Sequence, residues 1–185
     1  MHIDFPEGME DTNPPFFHFE PTGLHVEPGD IVRFNFTTPD HTITALHNGH
    51  GRQQRVPEGV PPFSSPIINI GGFWLYQFDV EGLYDIVCAP HELFGMAMRI
   101  VVGDLAEGDV PAYEDDFVGD DPEMFRPPIS KEEIEFFLNA FGQQECVWPF
   151  LTSTDVLSTD ALDPDVIQTE GSVPFSDVAA ELGYE

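Results

Sequence analysis

Residues 16–103 predict an all-β domain, an antiparallel sandwich or small barrel of Greek-key type built from eight short strands. Three observations carry that expectation. Short apolar-rich runs recur along this stretch, turn signals separate them, and in several runs apolar and polar residues alternate with the period of a half-buried strand. Beyond Gly103 the composition changes, and residues 104–185 read as an acidic, partly helical C-terminal extension.

The elements follow in order. Residues 1–15 are polar and proline-rich and read as an N-terminal arm. The strand candidates are Phe16–Glu20, Leu24–Glu27, Ile31–Phe36, Thr42–Leu46, Ile67–Ile70, Trp74–Val80, Tyr84–Cys88 and Met98–Val102. In the third run Ile31, Arg33 and Asn35 share one face, with Val32, Phe34 and Phe36 on the other. Turns are marked by Glu27-Pro28-Gly29-Asp30, Gly71-Gly72 and Val80-Glu81-Gly82. The stretch from His47 to Pro66 is long for a structureless loop, which predicts a function or a short helix there. In the extension one helix is expected near residues 130–142. Ser130 is its N-cap, Glu132 and Glu133 lie in its first turn, Ile134, Phe137, Leu138 and Phe141 repeat on one face, and Gly142 closes it. A weaker helix is expected from Ser176 to Leu182. Apolar residues are too frequent in this extension for a disordered tail, so it should wrap against the sandwich or a partner.

Charge bounds the partners. Thirty-four acidic residues against six basic ones give a net charge of −28, which speaks against nucleic acid. The acids are spread along the whole chain and there is one lysine. In molar salt the Debye length falls to about 3 Å, so self-repulsion is screened and an acidic coat becomes tolerable. The composition therefore reads as a halophilic solvation coat rather than a directed docking patch. No apolar run approaches the roughly 20 residues of a membrane span. Nor does the start, Met1-His2-Ile3-Asp4, have the basic and apolar regions of a signal peptide.

The chemistry lies in Cys88-Ala89-Pro90-His91-Glu92-Leu93-Phe94-Gly95-Met96. A strand delivers a cysteine at its end, a histidine follows three residues on, and a methionine five after that. Thiolate, imidazole and thioether on one loop suit a copper ion cycling between Cu(I) and Cu(II). A second imidazole must come from elsewhere. His41, just before a strand, is placed to supply it, with His47 and His50 as rivals; Met98 is the rival of Met96. His47 and His50 with Arg52 and Arg55 form the one concentrated non-acidic spot, read either as a solvated loop or as a docking or second-metal patch. Cys146, beside Val147 and Trp148, reads as a buried thiol.

Taken together, Pro28-Gly29-Asp30, His41, Gly82-Leu83-Tyr84-Asp85, Cys88-Ala89-Pro90-His91, Gly95-Met96 and Ile100-Val101-Val102-Gly103 resemble a cupredoxin, nearest to pseudoazurin, plastocyanin and the halocyanins of halophilic archaea. The resemblance covers residues 16–103. It implies an eight-stranded Greek-key sandwich and one copper ion on His41, Cys88, His91 and Met96. It also implies one-electron transfer between redox partner proteins on the outer face of the cell membrane or outside the cell, so a signal or anchor would belong to a removed segment. Two positions depart from the family's pattern. Thr42 stands where many relatives have Asn, and Ala89 where they often have Ser or Thr, so the side-chain bond that ties the two loops in those relatives is expected to be missing. Pro90 has no N–H to offer the Cys88 sulfur, which predicts a moderate potential.

Other classes fit less well. Multicopper enzymes need His-x-His pairs and a binuclear site needs two cysteines on one loop; the chain has neither. Copper delivery is the remaining alternative, as is a role as an accessory copper subunit of a respiratory oxidoreductase. Oligomerisation through the tail is open.

Overall fold

The computed structural model describes residues 17–106, 128–140 and 148–184. Its strands are β1 (Gly23–Val26), β2 (Asp30–Asn35), β3 (Thr44–Ala45), β4 (Phe73–Phe78), β5 (Gly82–Val87), β6 (Ala97–Val102) and β7 (Ser172–Val173). Its helices are α1 (Lys131–Ala140), α2 (Ser153–Leu157), α3 (Pro164–Glu170) and α4 (Phe175–Glu181). A five-stranded sheet runs β3-β5-β6-β1-β7, and β2 pairs with β4 in a second, two-stranded sheet. The result is a mostly β sandwich with helices laid against its larger sheet.

The alternation in β2 is realised. Phe34 stands opposite Trp74 in the register and faces the core, whereas Ile31 and Leu75 are exposed on the outer side. There Arg33 lies 4.3 Å over the Phe73 ring, a cation–π contact on an apolar outer face. Between the sheets Phe78, Tyr84, Ile86 and Ile100 are fully buried, each contributing about 1.5–3 kcal/mol by leaving water.

Two expected strands are absent. Residues 17–19 run irregularly into the turn before β1, and Ile67–Ile70, hemmed in by Pro66 and the Gly71-Gly72 turn, makes a single bridge. That bridge is nonetheless used: Ile68 and His41 exchange backbone hydrogen bonds at 2.9 and 3.3 Å. The long loop after β3 carries the short 3-10 helix Asn48–His50.

β6 is buried along its whole length because both of its faces are covered. Met98, Ile100 and Val102 point into the core between the sheets; Ala97 and Val101 join a second cluster with Leu151, Val156, Leu162, Ile167 and Val178 from the tail. β7 extends the sheet beyond β1. Gly23 makes that close approach possible, since a Cβ there would meet Ile167, Leu162 and Val173 at 3.0 Å.

The tail also buries charge. Arg99 stands directly opposite Asp85 in the register, with Nε and Nη2 donating to the two carboxylate oxygens at 2.8 and 3.1 Å, while Nη1 donates to Leu162 O. Arg55 Nε lies 3.3 Å from the same carboxylate, an ion-pair contact outside hydrogen-bond geometry. In α1 the expected apolar face is only partly covered, with Ile134 and Leu138 half-buried. Glu133 turns inward, and Phe136 and Phe137 are exposed. Ser130 Oγ accepts the Glu133 N–H, and a Glu135 carboxylate oxygen accepts the Trp148 N–H, so polar anchors rather than the phenylalanines set the face. Phe141, Gly142 and Cys146 lie outside the described residues.

Candidate metal centre

The Cys88–Met96 loop is shaped by its own sequence. Cys88 follows β5 and caps a 3-10 turn, Ala89–Phe94, that carries Pro90 near its start, where the missing N–H costs nothing. Gly95, at φ 81°, closes the turn, and Met96 O accepts the Cys88 N–H at 2.9 Å, bringing the two ends of the loop together. His41 arrives from another direction. Asp40 turns the chain at φ 65°, a conformation Asp tolerates better than most residues. The bridge to Ile68 then holds the His41 backbone.

The side chains converge. Cys88 Sγ lies 3.5 Å from His41 Nδ1 and 3.3 Å from His91 Nδ1, and the two Nδ1 atoms are 3.0 Å apart. Among the described residues this is the one group of three His, Cys, Asp or Glu side chains whose donor atoms share such a space. Donors bound at roughly 2.0–2.3 Å around a trigonal ion would stand about 3.5–3.8 Å apart, so the triangle opens by only a few tenths of an ångström to hold one. Met96 is buried and lines the same cleft as His41 and His91. Met98 lines it too, but from within β6 opposite Ile86.

Electrostatics favour a metal ion here. Burial holds both imidazoles below their ordinary range, keeping lone pairs available, and the second imidazole lowers His91 further. Thr38 Oγ1 stands 2.6 Å from His41 Nε2, so a proton on that nitrogen is satisfied and Nδ1 faces the cluster as an acceptor. Burial pushes the Cys88 thiol up, and the Thr42 N–H, donating to Sγ at 3.3 Å, offsets this in part. A cation among the three donors supplies the stabilisation a buried thiolate otherwise lacks.

The cross-loop tie expected to be missing is present in another form. The Ala89 backbone N–H donates to Thr42 Oγ1 at 2.9 Å, so the hydroxyl bridges the loops without needing a polar side chain at residue 89. Sequence reasoning overlooked it because only side-chain partners were considered.

The second histidine pair divides: His50 sits on an exposed turn, as expected of a solvated loop, whereas the neighbouring His47 and Arg55 are buried. His47 is buried, its Nδ1 accepting from Gly49 N–H and its Nε2 donating to Val60 O. His50 Nδ1 donates to Ala45 O. Arg55 is buried against Asp85, and Arg52 forms a two-pronged pair with buried Glu92. These cations are internal fastenings. A sequence cannot reveal this, because their partners lie some 30 to 40 residues away along the chain.

The donor triangle, its burial and its loop-borne order are those of copper proteins, and the family model for copper binding proteins of the plastocyanin/azurin family matches residues 8–103. The chain belongs to that family. It is 34% identical to the pseudoazurin of Paracoccus pantotrophus over 48% of this chain and 55% of that protein, and 30% identical to the pseudoazurin of Methylorubrum extorquens over 46% and 52%. The chain thus spans about half the length of the curated relatives it matches. The crystal structure of pseudoazurin from Methylobacterium extorquens AM1 is similar at 28% identity, covering 50% of this chain and 67% of that one with a TM-score of 0.42. Copper is accordingly the metal that this family's site takes. No helix among the described residues is long and apolar enough to cross a membrane.

Proposed function

We propose that the protein is a type 1 copper electron carrier, in which His41, Cys88 and His91 would hold the ion with Met96, which lines the same cleft, as the fourth ligand. The observation that supports this most is the buried triangle of one sulfur and two Nδ1 atoms. Copper supplies a one-electron couple. The protein's residues supply a fixed donor set that lies between the geometries the two oxidation states prefer, so little has to move when an electron passes. Thr42 N–H donates to the sulfur, and Pro90, which has no N–H, adds no donor of its own beside it. Phe17 stacks on His91 at 4.2 Å, making an aromatic wall beside the ring through which an electron would leave.

Redox partner proteins are the exchange partners, the protein acts outside the cytoplasm, and it has no enzymatic chemistry of its own. Residues 16–103 form the copper-binding unit, and residues 104–185 form a partly helical extension. The acidic coat is an adaptation to high salt. With Arg52, Arg55 and Arg99 engaged internally, few cations are left to balance it outside.

Copper-loaded protein should absorb intensely near roughly 600 nm, with the band bleaching on reduction, and Cys88→Ser should abolish it. A colourless copper-loaded protein sinks the proposal. Copper delivery would be favoured instead if Cu(I) passed rapidly to a chelator while no electron exchange with a cytochrome occurred. Molar KCl should raise the melting temperature; an unchanged melting temperature removes the salt reading.

A further inference from the structure

Four consecutive residues of the Cys88–Met96 loop are each held by the chain beyond residue 127. Glu92 Oε1 accepts from the Ile129 N–H at 3.2 Å and from Ser153 Oγ at 3.1 Å. Leu93 O accepts from Trp148 Nε1 at 2.9 Å. Phe94 packs against Trp148 and Phe150, with ring centroids 5.6 and 5.2 Å away. A Cβ on Gly95 would lie 2.9 Å from Leu151 Cβ. None of these residues belongs to the donor set.

Each contact has a reason to be there. A buried carboxylate is costly unless charge and hydrogen bonds satisfy it. Arg52 supplies the charge to Glu92 from the sandwich itself, and the tail supplies the Ile129 and Ser153 donors. The tail is preset for this. Thr152 and Asp155 form a capping box that starts α2 and puts Ser153 in its first turn, facing Glu92. Thr154 N–H and Oγ1 donate to Ile129 O and Pro128 O, tying the two tail segments to each other.

We propose that residues 128–130 and 148–153 form a clamp that positions the metal loop through Glu92, with Glu92 and Trp148 as the positioning residues. The inference rests on the copper-site reading above. Holding Glu92 and the Leu93 carbonyl holds the 3-10 turn, and the turn carries His91 and closes on Met96. A clamp that orders the loop and a metal ion that orders the same loop stabilise each other. By linkage, tail docking improves metal retention by the factor by which metal binding improves tail docking.

The test uses the full chain, with and without copper. Copper release to excess Cu(I) chelator is timed, amide exchange is followed at Ile129 and Thr154, and the ratio of the sulfur-to-copper absorption bands is recorded. In the unaltered protein copper should slow exchange at both amides. Glu92→Gln and Trp148→Phe should each release copper about tenfold faster, alter the band ratio and abolish the copper-dependent slowing. Val178→Ala, in the tail's apolar cluster away from the loop, should lower the melting temperature but leave release and band ratio unchanged. If Glu92→Gln fails to fold, Trp148→Phe carries the test. A blue parent protein whose Trp148→Phe variant behaves like it overturns the clamp alone, as does a Val178→Ala variant that loses copper equally fast. A parent protein that takes up no copper as a blue centre overturns the copper reading and the clamp with it.

Discussion

The two faces of the five-stranded sheet are buried by different means. The inner face meets the β2–β4 pair through aromatic and aliphatic side chains such as Phe34, Phe78, Tyr84 and Ile100. The outer face, under the tail, mixes apolar residues with a buried Arg55–Asp85–Arg99 group and with Glu92. Apolar packing is tolerant and non-directional. Buried charge is not: each group needs its partner in place, so the outer face defines where the tail sits more sharply than packing alone would. The metal loop lies where the faces meet. Cys88 and Met96 belong to the inner cluster, whereas Glu92 and Gly95 face the tail.

That contrast can be broken by substitution. Asp85→Ala should have the largest effect, because it removes the buried carboxylate that faces both Arg55 and Arg99; denaturant unfolding should show a loss of about 3–5 kcal/mol. A loss well under that range would mean the outer face tolerates unpaired charge. Ile100→Ala, on the inner face, should cost about 2–5 kcal/mol by leaving a cavity, and tail amides should keep their relative protection. Thr42→Val should cost about 0.5–1.5 kcal/mol, since it removes the acceptor of the Ala89 N–H at an exposed backbone position, and chemical denaturation with an absorption spectrum should register both the destabilisation and an altered copper band. The smallest effect is expected from Lys131→Ala. Its ammonium lies 3.4 Å from Asp155 at a partly exposed position, where solvent screens the pair. Unfolding should shift by less than about 1 kcal/mol, and the shift should vanish in molar salt.

Arg99 shows why part of the fold escaped the sequence. Within Ala97-Met98-Arg99-Ile100-Val101-Val102 it sits where alternation puts a solvent-facing residue, and on a bare sandwich it would be one. The tail covers that face, and Asp85 and the Leu162 carbonyl satisfy the guanidinium. The face of α1 was legible only in part. Periodicity put Ile134, Phe137 and Leu138 on one face; Ile134 and Leu138 are half-buried and Phe137 is exposed, while Glu133, beside the cap at Ser130, is buried.

By itself the sequence determined what is local: the alternation of β2, the turns, and the order Cys88, His91, Met96 on one loop, because spacing along a short chain segment restricts where side chains can go. It also supplied His41, with rivals still standing. Only the tertiary structure separated those rivals. His47 and His50 spend ring nitrogens on backbone groups, whereas His41 and His91 turn theirs toward a shared sulfur. The backbone tie from Ala89 to Thr42 and the tail's grip on Glu92 were likewise decided there. Both join groups distant in sequence, and no spacing rule encodes which buried donor meets which acceptor once two surfaces close on each other.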